Sequence, residues 1–132
     1  MYYQLSFKTG RYIVEKVSDH PNGVVVKVTA VLIHPKQGDL HHPHETEVFF
    51  HERKALAQYE KRIVSPNLLK PYDDAVPAYE ASLYKAVTAM EEKLAAEPTS
   101  FNQLALQKMQ SLKKEYAHYY GIKFDDFSNN EG

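Results

Sequence analysis

At 132 residues, 43% of them hydrophobic and 25% charged, the chain has the length and composition of one globular domain, or of a small domain with a helical appendage. It has no cysteine, which excludes a disulfide framework, cysteine-ligated zinc and a thiol nucleophile. The formal net charge is −1, and only residues 51–62 are positive, with four basic and two acidic side chains. So short a basic stretch cannot displace many counterions from phosphates, which excludes nucleic acid as an expected partner.

The N-terminal MYYQLSFKTG lacks a basic region followed by an apolar core, so no secretory leader is expected in it. The apolar runs at 24–26 and 30–33 are too short to span a bilayer. Residues 2–7 alternate, with Tyr3, Leu5 and Phe7 on one face, and predict a strand. Lys8-Thr9-Gly10-Arg11 predicts a hairpin turn with Gly10 at positive φ. Residues 12–17 form the return strand, and residues 18–23, ending in Asn22-Gly23, mark the next turn. The β-branched run at 24–33 predicts a long strand with Val24, Val26, Val28, Ala30 and Leu32 on one face.

Residues 34–46 lack periodicity and contain Pro35, Gly38 and Pro43, which predicts a loop long enough to carry function. Residues 47–50 read as a short strand, and strands this short and closely spaced suggest an SH3-like β-barrel over 1–50. From His51 the period changes. Ala55, Leu56, Tyr59 and Ile63 follow helical spacing until Ser65-Pro66, which opens a helical subdomain expected over 51–122.

Tyr79, Leu83, Ala86, Val87, Met90 and Leu94 make one apolar stripe. Phe101, Ala105, Met109, Leu112, Tyr116 and Tyr119 make a second, opened by a Ser100–Gln103 capping box and stopped at Gly121. Only a few residues separate the two, so a helical hairpin is expected. Residues 123–132 read as a polar tail. The fold class expected is α+β.

Five of seven histidines fall between His34 and His51. His41, His44 and His51, near Asp39, Glu45 and Glu52, could serve as metal ligands, since imidazole and carboxylate suit zinc. A pair of Asp39 with His41, His42 or His44 could act as an acid–base couple. The plainer readings are solvated loop histidines and a turn held by the Asp39 side chain. The basic segment 51–62 could face an acidic partner or be a solvated helix face. Tyr84 and Tyr120, off or at the edge of their stripes, are the tyrosines best placed for an interface.

KTGRYI, KVTAVLIHPKQGDLHHP and FFHERKAL together resemble the kinase-associated lipoprotein B family of spore-forming bacilli, over residues 7 to about 120 and most specifically at HPKQGDLH and FFHERKAL. The resemblance implies an SH3-like barrel followed by an all-helical part. It also implies a regulator of a membrane sensor histidine kinase feeding the sporulation phosphorelay, with no catalytic residues. With no cysteine, the chain offers no lipid attachment by that route, and a cytoplasmic location with recruitment to the membrane face by a partner is expected. Only MYYQLSF precedes the KTG turn, so a shortened first strand and an exposed sheet edge are expected.

The expectation is therefore a non-enzymatic, cofactor-free regulatory protein whose partner is a sensor histidine kinase or another phosphorelay protein. Its contact surface is expected at the 34–44 loop and the 51–62 helix start: His34, Gln37, Asp39, His41, His42, His51 and Arg53, with Tyr84. The alternative is a metal- or small-ligand-binding sensor domain using the histidine-rich loop.

Overall fold

The computed structural model describes residues 1–38 and 52–124. The chain divides into two compact units, residues 1–36 with 54–86, and residues 37–53 with 87–132.

The first unit holds a five-stranded antiparallel sheet. Its strands are β1 (Tyr2–Phe7), β2 (Gly10–His20), β3 (Gly23–Ile33), β4 (Lys61–Val64) and β5 (Leu69–Pro71), in the order β4-β3-β2-β1-β5. Helix α1 (Tyr79–Ala95) begins in this unit and ends in the second, which also contains α2 (Ser100–Tyr120). The α+β class holds. Among the described residues β4 and β5 do not pair with each other, so the sheet is open where a closed barrel is expected. The first strand is not an edge either: β1 runs its full length against β2 and pairs with β5 on its other side.

The helix expected from His51 to Ile63 is absent from the described residues 52–64. Residues 52–57 have no regular structure, a turn follows at Gln58-Tyr59, and β4 takes Lys61–Val64. The helical spacing of Ala55, Leu56, Tyr59 and Ile63 is coincidental. Tyr59 sits at φ 67°, which no right-handed helix accepts, and Ile63 is exposed rather than core-facing.

The β2–β3 ladder carries three irregularities, at Arg11/Tyr12, Ile13/Val14 and Lys16/Ser18. Each leaves an extra residue on one strand and increases local twist. At the middle one the Thr29 hydroxyl donates to the Ile13 carbonyl at 2.9 Å. The irregularity at Arg11/Tyr12 ends the alternation along β3. Val24, Val26, Val28 and Ala30 are buried as expected, but then Val31 turns inward and Leu32 is only half-buried. The Val31 N–H donates to the buried Ser82 hydroxyl of α1 at 2.9 Å. The sheet curls enough for the Arg62 guanidinium of β4 to lie 5.1 Å from the centre of the Phe7 ring on β1, three strands along the order.

Both hairpins close on two-residue turns, with Phe7 opposite Gly10 and His20 opposite Gly23. Lys8, not Gly10, takes the positive φ, at 53°. Gly10 is required for space, because a Cβ there would sit 2.5 Å from the Tyr12 hydroxyl. That ring is fully buried and its hydroxyl is engaged with Leu56, so it cannot swing aside. Gly10→Ala is expected to cost about 1–3 kcal/mol, as overpacking does, read as a lower urea midpoint with an unchanged m-value. Gly23, at φ 147°, lies so close to the Val64 carbonyl that a Cβ would strike it.

In the second unit, α2 is capped by Thr99, one residue before the expected Ser100. The Thr99 hydroxyl accepts from the Asn102 N–H at 3.1 Å. Gly121 ends α2 in the left-handed conformation, φ 69°, as expected. Ala105, Met109, Leu112 and Tyr116 are buried on the predicted stripe. Tyr119 is not, being 79% exposed, and its ring meets Tyr120 edge-on at 4.9 Å. Lys113, on the same buried side, is joined through its ammonium to both carboxylate oxygens of Glu91 on α1, each at 3.1 Å.

Candidate functional site

The second unit receives the chain at Gln37 and releases it at Arg53, and the two residues are locked together. Gln37 is buried, and its carboxamide pairs with the main chain of Arg53 in both directions. Nε2–H donates to the Arg53 carbonyl at 2.9 Å, and Oε1 accepts the Arg53 N–H at 2.8 Å. A primary amide presents the same donor and acceptor as a peptide group, so one side chain closes the ends of the segment as a strand pairing would. The Arg53 side chain adds a third bond, Nε–H to the Gly38 carbonyl at 3.1 Å. Gly38 has φ 111°, outside what a side chain tolerates well.

In the first unit, two phenols from distant parts of the chain grip the main chain of one residue, Leu56, on both sides. The Leu56 N–H donates to the Tyr12 hydroxyl at 3.2 Å, and the Tyr79 hydroxyl donates to the Leu56 carbonyl at 2.6 Å. Both tyrosines are buried, and burial raises the Tyr12 phenol above its ordinary range, so it stays protonated. Residues 52–57 form no strand, and these side-chain bonds satisfy the buried main chain of Leu56 instead. Before the insertion, the Lys36 N–H donates to the Thr9 hydroxyl at 2.9 Å. His34 is fully buried. Its Nδ1–H donates to the Pro35 carbonyl at 2.9 Å, which fixes the tautomer, and burial lowers its pKa to about 4.

The residues expected at a contact surface therefore separate. His34 and Gln37 are interior: one is bonded to the Pro35 carbonyl just before the insertion, the other holds the insertion's ends together. Arg53 is half-buried at the same closure, and Tyr84 is half-buried on α1. Asp39, His41, His42, His44 and His51 lie outside the described residues, as does the short strand expected at 47–50. Among the described residues no three His, Asp or Glu side chains are grouped to hold a metal ion. Sequence reasoning missed the roles of Tyr12, Leu56 and Tyr79, for which no motif exists; Tyr12 and Leu56 lie in the KTGRYI and FFHERKAL strings, and Leu56 and Tyr79 read as apolar stripe positions. Gln37→Leu is expected to cost about 1–3 kcal/mol, because both Arg53 main-chain groups lose their amide partner. Faster hydrogen exchange at the Arg53 amide would show it.

The family model described as kinase associated protein B matches residues 7–117. The chain belongs to the kinase-associated protein B family. Kinase-associated lipoprotein B of Bacillus subtilis (strain 168) is 46% identical over 111 residues, which is 83% of this chain and 87% of that protein. The crystal structure of kinase-associated protein B from Bacillus cereus superposes with a TM-score of 0.71 at 31% identity, covering 87% of this chain and 93% of that one. The matched span takes in the Gln37–Arg53 closure, the Leu56 clamp and the Lys113–Glu91 pair. The family name denotes association with a kinase rather than a kinase. The B. subtilis relative is named a lipoprotein; this sequence holds no cysteine, and no helix among the described residues is long and apolar enough to cross a membrane.

Proposed function

We propose that this protein is a non-enzymatic regulator that binds a sensor histidine kinase, or another protein of the sporulation phosphorelay, by direct protein contact. The observation that carries the reading is membership of a family named for kinase association, matched over residues 7–117. The closure at Gln37 and Arg53 supports it. Long insertions with fixed ends are a common vehicle for recognition, and this one is histidine-rich and starts and finishes at a defined place. We read the curled sheet as an SH3-like module, and the insertion, with the adjoining segment to Arg62, as the contact surface. Location in the cytoplasm, with recruitment to the membrane face by the partner, follows from that reading.

The test is binding of the intact chain to immobilised cytoplasmic regions of the source organism's sensor histidine kinases. At least one is expected to bind, and replacing His41, His42 and Arg53 together with alanine is expected to weaken that binding about tenfold or more. Binding to none of them, or binding untouched by the triple replacement, would contradict the proposal.

A further inference from the structure

The outer face of the sheet at β4 carries features that the fold does not need. Directly opposite residues of a ladder share a face. The pairs Val25–Ile63 and Lys27–Lys61 therefore lie on the face opposite the buried Val24–Val64 pair. Two like charges directly opposite each other disfavour a ladder. Glu15, opposite Lys27 on β2, answers one of them, its carboxylate 3.4 Å from the Lys27 ammonium. Glu60, next to Lys61 in the chain, is taken by Arg62 at 2.6 Å and by the Ala57 N–H at 2.9 Å. Among the described residues no carboxylate pairs with Lys61, and the first unit carries ten lysines and arginines against six aspartates and glutamates.

Tyr59 adjoins this face, with the Lys27 ammonium 5.7 Å from its ring centre. Its φ of 67° is a genuine outlier for a bulky residue. The main chain holds it there through the Tyr59 N–H to Val28 carbonyl bond at 2.7 Å and the Glu60 N–H to Ala57 carbonyl bond at 3.1 Å. Glycine would take the same backbone without strain. Yet the ring is not buried: Tyr59 is 62% exposed and Ile63 50%. A strained position that holds an aromatic ring in water points to function rather than packing.

We infer that Tyr59, Ile63, Lys27 and Lys61 form a docking surface for an acidic, extended segment of a partner protein, with its carboxylates on the two lysines and an apolar side chain against Tyr59 and Ile63. Charge selects the occupant. A neutral or basic segment leaves Lys61 unanswered, and the same face of a second copy would add two more lysines to it. The inference rests on the protein-contact reading above, but not on the identity of the kinase.

The test is fluorescence anisotropy with the full chain and a labelled peptide of glutamates around a central phenylalanine, against its glutamine counterpart. The glutamate peptide is expected to bind, and to weaken with added salt. Lys27→Glu with Lys61→Glu should weaken it about tenfold or more. Tyr59→Gly should weaken it while raising the melting temperature, which loss of a merely structural ring would not do. Equal binding of the glutamine peptide, or an affinity unchanged in the lysine variant, would overturn the inference. So would concentration-dependent sedimentation that the lysine variant abolishes, since the face would then belong to a second copy. If the lysine variant still binds the kinase while the His41/His42/Arg53 variant does not, this surface is wrong and the functional proposal stands. If no kinase binds but the glutamate peptide follows the lysines, the reverse holds.

Discussion

Replacing Glu91 with alanine is expected to destabilise the helical unit by about 3–5 kcal/mol, the usual cost of removing one partner from a buried ion pair. The Lys113 side chain has no exposure to solvent and Glu91 has only 17%, so water cannot take over from the lost carboxylate. The ammonium is held at 3.1 Å by both carboxylate oxygens and lies 5.3 Å from the Phe124 ring centre. A cation–π contact of this kind contributes about 0.5–2 kcal/mol and does not replace the carboxylate. Replacing the pair together, Glu91→Leu with Lys113→Met, is expected to be close to neutral, because desolvation of both charges disappears along with their attraction. Guanidinium unfolding followed by helical circular dichroism separates the cases. A single replacement costing no more than the double would contradict this account of the pair. The exposed Lys16–Asp19 pair, by contrast, should be almost silent when broken.

The second large effect is one of pH. His34 is buried and neutral, with a pKa of about 4 in place of the ordinary 6.5. Above pH 6.5 it is neutral in both folded and unfolded chains and contributes no slope. As the pH falls from 6.5 to about 4, the unfolded chain takes up a proton that the folded chain refuses. Stability therefore falls with acidification by about 1.4 kcal/mol per pH unit, or about 3 kcal/mol over that window. Below pH 4 the folded form also protonates and the loss levels off. His34→Asn can keep the donor to the Pro35 carbonyl while removing the titration. Unfolding free energies of the two proteins should converge as the pH falls from 7 to 4.5; parallel curves would show that His34 titrates normally.

The three long strands and both long helices are legible in the sequence for physical reasons. The strands β1–β3 are marked off by a Lys-Thr-Gly turn and an Asn-Gly turn, burial alternates along most of β3, and each helix buries a stripe at helical spacing. The short strands β4 and β5 are not legible. Lys-Arg-Ile-Val has no alternation to read, and Leu69–Pro71 closely follows Pro66 and itself ends in a proline. Their pairing with β3 and β1 is set by tertiary context. The false helix at 51–63 arose because four apolar residues happened to fall at helical spacing, while one strained residue, Tyr59, reverses the chain.

The site divides in the same way. Histidine clustering drew attention to the 34–51 stretch, but the residue that closes the stretch is Gln37, whose type carries no such signal. Lys113 was hidden for a related reason. It falls on the Met109–Leu112–Tyr116 stripe, yet a lysine there reads as surface unless its partner, 22 residues away, is already known.

The proposed regulation of a kinase by direct contact, through the insertion that Gln37 and Arg53 close, can be read from the autophosphorylation rate of a purified sensor histidine kinase from the source organism, measured with increasing amounts of the intact chain. A saturable change in rate is expected, lost when His41, His42 and Arg53 are replaced by alanine and weakened in the Gln37→Leu protein. A rate unchanged at saturating protein for every kinase tested would contradict it.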